Sequence, residues 1–466
     1  MGAAVEAALE RVVGAAHVLT DPEMRAGYEV DWTGQYRGRA RAVVRPATSV
    51  EAAACVRICL DAAVPIVPQG GNTGLVGGSV PDESGRAVVL STIRMAALGA
   101  VDTAVGQVTV GAGVRLSVAQ DHARGAGMAV AVDLGARDSA TIGGMVASNA
   151  GGIQVLRYGT MRQQVAGVEV VLGSGEIVSH LSGLAKDNTG YDLGSLFCGS
   201  EGTLGVITAV RLRLVPASAR RATVLLAWDG VATMVAGLTR LRAVPGIEAA
   251  EFFLRAGMDL VLDHRGLGDP FLRPYPAYLL VEAAGPEDPT AALAGAIGQI
   301  AGVLDVAVAT DQASRARLWA LRELHTEALA ACGPPRKYDV SLPASKIVEF
   351  LDEVDEAVGG VAGATARCHH FGHLADGNIH VNVLGLGGLG PAELDEVDRV
   401  VLTLVAEHGG SISAEHGIGR LKRKWLPLAR SAAELAAFRA IKDGLDPKGI
   451  CNPGVLLGGS EPEQSV

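Results

Sequence analysis

The stretch Pro68-Gln-Gly-Gly-Asn-Thr-Gly-Leu-Val-Gly-Gly78 follows directly on the apolar run Val64–Val67. Five glycines in eleven residues at a strand end let bare backbone N–H groups turn inward, an arrangement suited to a phosphate. The spacing matches neither GxGxxG nor GxxxxGK(S/T), so alone the stretch leaves a flexible surface turn equally open. The same chemistry recurs downstream. Asp133-Leu-Gly-Ala-Arg-Asp-Ser-Ala-Thr-Ile-Gly-Gly-Met-Val-Ala-Ser-Asn-Ala-Gly-Gly152 carries Gly143–Gly144 at a helix entry able to seat a pyrophosphate. A third cluster, Gly199-Ser-Glu-Gly-Thr-Leu-Gly-Val-Ile-Thr208, leads into another strand. A diphosphate dinucleotide needs several such backbone approaches.

Around these clusters the first 216 residues alternate strands and helices. Ala40–Val44, the helix Ser49–Ala62 with its Ser-x-Glu start, and Val64–Val67 have a β-α-β rhythm. Ala87–Leu90, Gln107–Gly111, the helix Arg115–Arg124, Gly167–Leu172 and Gly205–Leu214 read as a second α/β layer, and Pro216 marks a boundary. From Arg221 the strands Thr223–Trp228, Glu248–Leu254 and Tyr278–Ala283 interleave with the amphipathic helices Val231–Ala243 and Pro289–Ala301. This predicts an antiparallel sheet with helices on one face, to which the helices Asp311–Ala331 and Ile347–Val358 and the strand Asn378–Leu384 also belong. The expected fold class is α+β: two α/β subdomains over 1–216, an antiparallel-sheet domain over 217–410, and a closing segment over 411–466. Only Gly458–Val466 reads as a loose tail.

Composition limits the function. The chain has 466 residues, two to four domains at roughly 100–200 residues each. With 49% hydrophobic and only 19% charged residues it is no disordered chain, and 61 glycines follow no collagen-like period. Aromatics at 4% and a net charge of −10 argue against a nucleic-acid partner. No apolar run is long enough for a membrane helix, and Glu6, Glu10 and Arg11 stand where an export signal would be apolar. Six scattered cysteines without a CxxC pair suit a reduced, cytoplasmic protein in which each is a small buried hydrophobe.

Histidine is unevenly spread: His369, His370, His373, His380, His408 and His416, six of eleven, fall within 48 residues. In Phe371-Gly-His-Leu-Ala-Asp-Gly-Asn-Ile-His-Val-Asn-Val383, alternation puts His380 and Asn382 on one strand face and Ile379, Val381 and Val383 on the other. The turn Asp376-Gly-Asn378 can fold His373 back toward His380. With Glu415 of Ser413-Ala-Glu-His-Gly417 they form a common divalent-metal set, although taken alone a His-x6-His pair reads more readily as core or surface histidine. Arg322 and Thr326 lie four apart on a predicted helix, where an arginine is ordinarily solvated.

Together the three glycine clusters resemble the FAD-binding domain of the vanillyl-alcohol oxidase superfamily, and GHLADGNIHVN with SAEHG resembles its metal-dependent D-2-hydroxyacid dehydrogenases, including glycolate oxidase FAD subunits. The resemblance spans nearly the whole chain. It implies FAD held by Pro68, Gly70, Gly71, Asn72, Thr73, Gly74, Leu75, Leu134, Gly135, Ser139, Gly143, Gly144, Asn149, Gly202, Ile207 and Asn452. Met145 stands where close relatives usually have Asn. Asn72 occupies the place of the histidine that carries flavin in covalently flavinylated members, so the FAD is expected to be non-covalent. The resemblance also implies a divalent metal, usually zinc, on His373, His380 and Glu415, with His416 as catalytic base. Substrate contacts would come from Arg322, Thr326, Lys337, Asn382 and His416.

The implied reaction is oxidation of a D-2-hydroxyacid, D-2-hydroxyglutarate or D-lactate, to the 2-oxoacid. Hydride goes to flavin N5 and electrons pass to a separate flavoprotein, quinone or cytochrome. A homodimer stays open as the assembly. The rival readings are a non-catalytic flavin subunit, a glycolate oxidase-type subunit, and NADPH-dependent enolpyruvyl ether reduction. The last leaves the His, His and Glu set unexplained.

Overall fold

The computed structural model describes residues 2–458, so the tail expected over Gly458–Val466 lies, beyond Gly458, outside the described residues. Two compact units divide the chain. One contains Met1–Gly152, Gly159–Ala217 and Glu415–Val466, the other Ile153–Tyr158 and Ser218–Ala414. The fold class is mixed α+β, as expected.

The first unit holds two sheets. In one, β1 (Val18–Leu19), β2 (Ala42–Val44), β3 (Ile66–Gln69) and β4 (Val88–Ser91) run in the order β1-β2-β4-β3. Strands β2, β4 and β3 are parallel, joined through the helix Ser49–Asp61. That helix begins at Thr48, whose hydroxyl accepts from the Glu51 N–H at 3.1 Å. The other sheet contains β5 (Gln107–Gly111), β6 (Met128–Val130), β7 (Val165–Val171), β8 (Ile177–His180) and β9 (Val206–Pro216). Its path is β5-β9-β7-β8 with β6 also on β9. Every pairing in it is antiparallel, and the strand expected over Ala87–Leu90 in this layer lies instead in the first sheet as β4, where it pairs with β2 and β3. The long strand β9 organises the sheet: β5, β6 and β7 all pair with it and all run opposite to it.

The second unit is built on seven antiparallel strands: β10 (Arg220–Trp228), β11 (Ile247–Leu254), β12 (Ala277–Gly285), β13 (Val303–Val308), β14 (Arg336–Ser341), β15 (Arg367–His373) and β16 (Asn378–Leu384). Their order is β13-β10-β12-β11-β15-β16-β14. Helices cover both faces rather than the one expected, because the central strands are apolar on both sides. Trp228 meets Gly237 of the helix Val231–Arg242, whereas Leu225, Phe253 and Tyr278 pack with Met258, Trp319 and Leu329. The short segment Ile153–Tyr158 belongs to this unit because Arg157 and Tyr158 bond Glu248 at 2.8 and 3.0 Å.

The helix expected over Asp311–Ala331 is broken into Gln312–Glu323 and His325–Ala331. At the break the His325 Nδ1–H donates to the Arg322 carbonyl at 3.2 Å, a side chain competing for the helical ladder. The His325 ring lies between Phe253 and Phe371, with centroids 5.1 and 5.0 Å away. Its Nε2, without a partner among the described residues, faces Gly257, where a Cβ would come within 2.7 Å. All six cysteines are free. Cys55, Cys59, Cys198 and Cys451 are buried as expected, but Cys332 is exposed and Cys368 partly so, since each lies at the margin of its element. Among the described residues no helix is long and apolar enough to cross a membrane.

Burial drives the His325 pKa from 6.5 to about 3, with the Arg322 charge acting in the same direction. The unfolded chain therefore holds a proton that the folded chain refuses between those values. Stability on this account is intact above pH 6.5, falls as pH drops, and levels off near pH 3. The loss amounts to about 2 kcal/mol at pH 5. His325→Asn, which keeps a donor for Arg322 and cannot protonate, should be less stable at pH 7 yet lose less stability between pH 7 and 5, read from urea midpoints.

Candidate active site

A cavity of about 380 Å³ opens in the first unit where the three glycine clusters meet. Its wall includes Pro68, Gly70, Gly71, Asn72, Thr73, Gly74, Leu75, Leu134, Gly135, Gly143, Gly144, Gly202 and Ile207. The wall is mostly backbone because two clusters touch there. A Cβ on Gly71 would stand 1.9 Å from the Ser139 carbonyl oxygen, and one on Gly70 would stand 2.2 Å from Thr141 Oγ1. Thr141 Oγ1 itself is buried on this wall without a partner among the described residues, so a ligand group there would satisfy it.

Three sequence-selected residues lie off the wall. Ser139 offers its carbonyl to the Gly71 contact. Asn149, at φ 51°, closes the helix Ile142–Ser148 and accepts from Thr160 Oγ1 and the Arg162 N–H. Asn452 donates to the carbonyls of Gly78 and Glu201 at 2.8 and 2.7 Å, tying the first and third clusters together. The departure Met145 is buried in the core beside the cavity. Asn72 accepts from Ser79 Oγ and donates to the Gly27 and Val30 carbonyls.

Glu415 and His416 also line this cavity. Their segment is held by Glu201, whose carboxylate accepts from the N–H groups of Ile418 and Gly419 at 2.8 and 2.7 Å. Burial raises the Glu201 pKa against these donors. The Gly152 N–H donates to Glu415 Oε1 at 2.6 Å. Further on, Ile450–Asn452 runs beside β3, with backbone bonds to Ile66 of 2.7 Å on either side.

In the second unit the hairpin β15–β16 brings the rings of His373 and His380 to 5.6 Å between centroids. The His373 Nδ1–H donates to Glu251 Oε1 at 2.6 Å, leaving Nε2 as the lone-pair nitrogen. The other Glu251 oxygen forms an ion pair with Arg322 at 3.0 Å, and the Arg322 guanidinium lies 4.7 Å over the Phe371 ring. His380 Nδ1 stands 3.5 Å from Asp339, which also accepts from Asn378 at 2.8 Å. Lys337 and Asn382 are cross-strand partners on this face. Partial desolvation lowers the Lys337 pKa. Thr326 is exposed and follows the helix break, so it shares no single helix with the buried Arg322.

Glu251, Asp339 and Glu201 escaped the sequence reading. Glu251 had one signal, a carboxylate in the otherwise apolar run Ala249–Leu254, where a buried charge demands partners.

The family described as FAD binding domain matches residues 40–180, and that described as FAD linked oxidases, C-terminal domain, matches residues 217–456. The chain belongs to the FAD-linked oxidases. It is 39% identical over 460 residues to mitochondrial D-2-hydroxyglutarate dehydrogenase of Bos taurus, covering 97% of this chain and 83% of that protein. The D-2-hydroxyglutarate dehydrogenase of Xanthomonas citri pv. viticola is 38% identical over 460 residues, with 96% of each covered. In fold the chain resembles p-cresol methylhydroxylase with substrate bound (TM-score 0.76, 14% identity, 99% and 98% covered). It likewise resembles alkyldihydroxyacetonephosphate synthase (TM-score 0.75, 16% identity, 97% and 85% covered). The FAD-linked oxidase fold thus accounts for the glycine-lined cavity, whose bare backbone and unpartnered Thr141 hydroxyl fit a dinucleotide cofactor. The chain is an FAD-dependent oxidoreductase.

Two substitutions test this organisation. Gly71→Ala must push the Ser139 carbonyl aside, costing about 1–3 kcal/mol, and should purify with less than half the wild-type flavin per chain by absorbance. Glu251→Ala strands the buried Arg322 charge and should lower stability by about 3 kcal/mol in urea unfolding. Glu251→Gln, still an acceptor for His373, should lose less.

Proposed function

We propose that this FAD-linked oxidase oxidises a D-2-hydroxyacid to the 2-oxoacid, with D-2-hydroxyglutarate the favoured substrate and D-lactate the alternative. The observation that carries the reading is the polar face of the seven-stranded sheet. It sets His373, with its tautomer fixed by Glu251, beside His380, and aligns Asn382 with the cation of Lys337. Two relatives at 38–39% identity named D-2-hydroxyglutarate dehydrogenase support it.

In this reading residues 1–216 form the FAD domain, 217–410 the substrate domain and 411–466 a returning segment. His373, His380 and Glu415 are assigned to a divalent metal, zinc by preference. The donor set suits it: His373 presents a lone-pair Nε2, and Glu415 is a carboxylate. Bound there, the metal supplies Lewis acidity to the 2-hydroxyl, and the FAD supplies the hydride acceptor, N5. His416 takes the hydroxyl proton as C2 gives up its hydride. Arg322 holds a carboxylate with its planar fork, Lys337 adds a point charge, and Thr326 and Asn382 donate hydrogen bonds.

Asn72 has no nitrogen nucleophile to bond flavin, so the FAD dissociates on acid denaturation. Electrons leave to a separate flavoprotein, quinone or cytochrome. Six free cysteines support a reducing, cytoplasmic setting.

Anaerobic mixing provides the test. D-2-hydroxyglutarate should bleach the flavin and its L-enantiomer should not. His416→Ala should slow bleaching by about 10²-fold or more with the flavin retained. Chelation should stop turnover while leaving FAD bound. Bleaching by neither D-hydroxyacid would overturn the reading.

A further inference from the structure

His369 stands two residues before Phe371 in the histidine-rich segment, and no role above uses it. Strand register gives it a place. Lys337 of β14 and His369 of β15 both lie directly opposite Asn382 of β16, so the three form one row on one face of the sheet. His380 lies in the next row, opposite Asp339 and Phe371, and His373 in the row beyond, opposite Asn378 and Glu251. Two residues along a strand advance about 7 Å. The two carboxyl carbons of a five-carbon hydroxydiacid are four bonds apart, about 5 Å when extended. A diacid with its hydroxyl end in the His380 row therefore carries its far carboxylate toward the row of Lys337, Asn382 and His369. A three-carbon hydroxyacid ends in a methyl group short of that row.

The state of the His369 ring suits an anion. The ring is partly buried, and its buried Nδ1 has no partner among the described residues. A buried nitrogen without an acceptor is better left as a lone pair than as an N–H, which puts the proton on Nε2. Burial lowers the His369 pKa, with neighbouring His370 acting in the same direction. The ring is then a neutral single donor in the same row as the Lys337 cation, with Asn382 between them.

We infer that His369 is a specificity residue that hydrogen-bonds the far carboxylate of a D-2-hydroxydiacid through Nε2–H, in one row with Lys337 and Asn382. The inference rests on the proposed hydroxyacid oxidation and adds the residue that tells a diacid from a monoacid.

Stopped-flow flavin reduction by D-2-hydroxyglutarate and by D-lactate tests it in the wild type and in His369→Val, His369→Asn and His369→Gln. Wild type should prefer the diacid. The Val and Asn variants, which offer no donor at the Nε2 position, should bind the diacid about tenfold more weakly or worse. Their limiting rate and their D-lactate kinetics should stay within about twofold of wild type. Gln, whose amide nitrogen sits near the Nε2 position, should keep most of the preference. Unchanged diacid affinity in the Val and Asn variants would overturn the role of His369 and leave the proposed reaction standing. So would equal loss on both substrates with flavin retained. A wild type bleached by neither substrate would overturn both. If the Val variant loses its flavin, Asn and Gln decide: equal diacid affinity in the two refutes the inference.

Discussion

The contact that everything in the first unit depends on is glycine backbone against the Ser139 carbonyl and the Thr141 hydroxyl. Gly70 and Gly71, just beyond β3, press on Ser139–Thr141 at distances no side chain tolerates. One stretch comes from the parallel sheet and the other from the antiparallel sheet, so their contact is where the two sheets meet. The gap left beside it is lined by peptide groups and is the glycine-rich cavity. Glycine costs conformational entropy in every such loop, and the offset comes from elsewhere: Glu201 and Asn452 bind the loops to the C-terminal segment by buried hydrogen bonds.

In the second unit buried carboxylates play the organising part. Glu251, Glu248 and Glu282 stand on apolar strands, almost wholly buried, and each is matched by arginine. A buried carboxylate in these strands is tolerable only because its partners are fixed, and fixed partners are what an active site needs. Glu251 holds an imidazole with one oxygen and a guanidinium with the other, so the hydrogen-bonding sense of His373 and the placement of Arg322 come from one residue. A chain of net charge −10 can in this way present cations locally.

Much of this was legible in local patterns. Alternation in β16 gave the face shared by His380 and Asn382, and Ile379, Val381 and Val383 are indeed fully buried. The glycine clusters, alike in composition, do meet around one cavity. Glu251 was not legible, because its partners lie 71 and 122 positions away and only strand pairing brings them close. The break before His325 was equally hidden, since a side chain bonding a carbonyl three residues back leaves the helical period intact. Two-sided helix cover depends on which strands fall in the middle of the sheet, and sheet order is a long-range property.

Three histidines of this unit show why residue type alone does not assign chemistry. His325 is enclosed by two aromatic rings and a glycine, gains no acid partner, and is driven to a pKa of about 3, which makes it a packing element. His373, also buried, has a carboxylate at 2.6 Å, so its donor side is occupied and its lone pair is directed away. His369 has a buried inner nitrogen without a partner among the described residues, which favours the proton on the outer one. The same imidazole thus becomes a core ring, a ligand-type base or a neutral donor according to what stands within a few ångströms of each nitrogen. Those surroundings are set by register: β15 places His369 and His373 on one face four residues apart, with Phe371 between them closing over His325. A one-residue slip of β15 would turn both histidines to the opposite face, where His370 now meets Asp355, and would separate Arg322 from the Phe371 ring. The packing of Phe371 therefore protects the chemistry of its neighbours by making that slip costly.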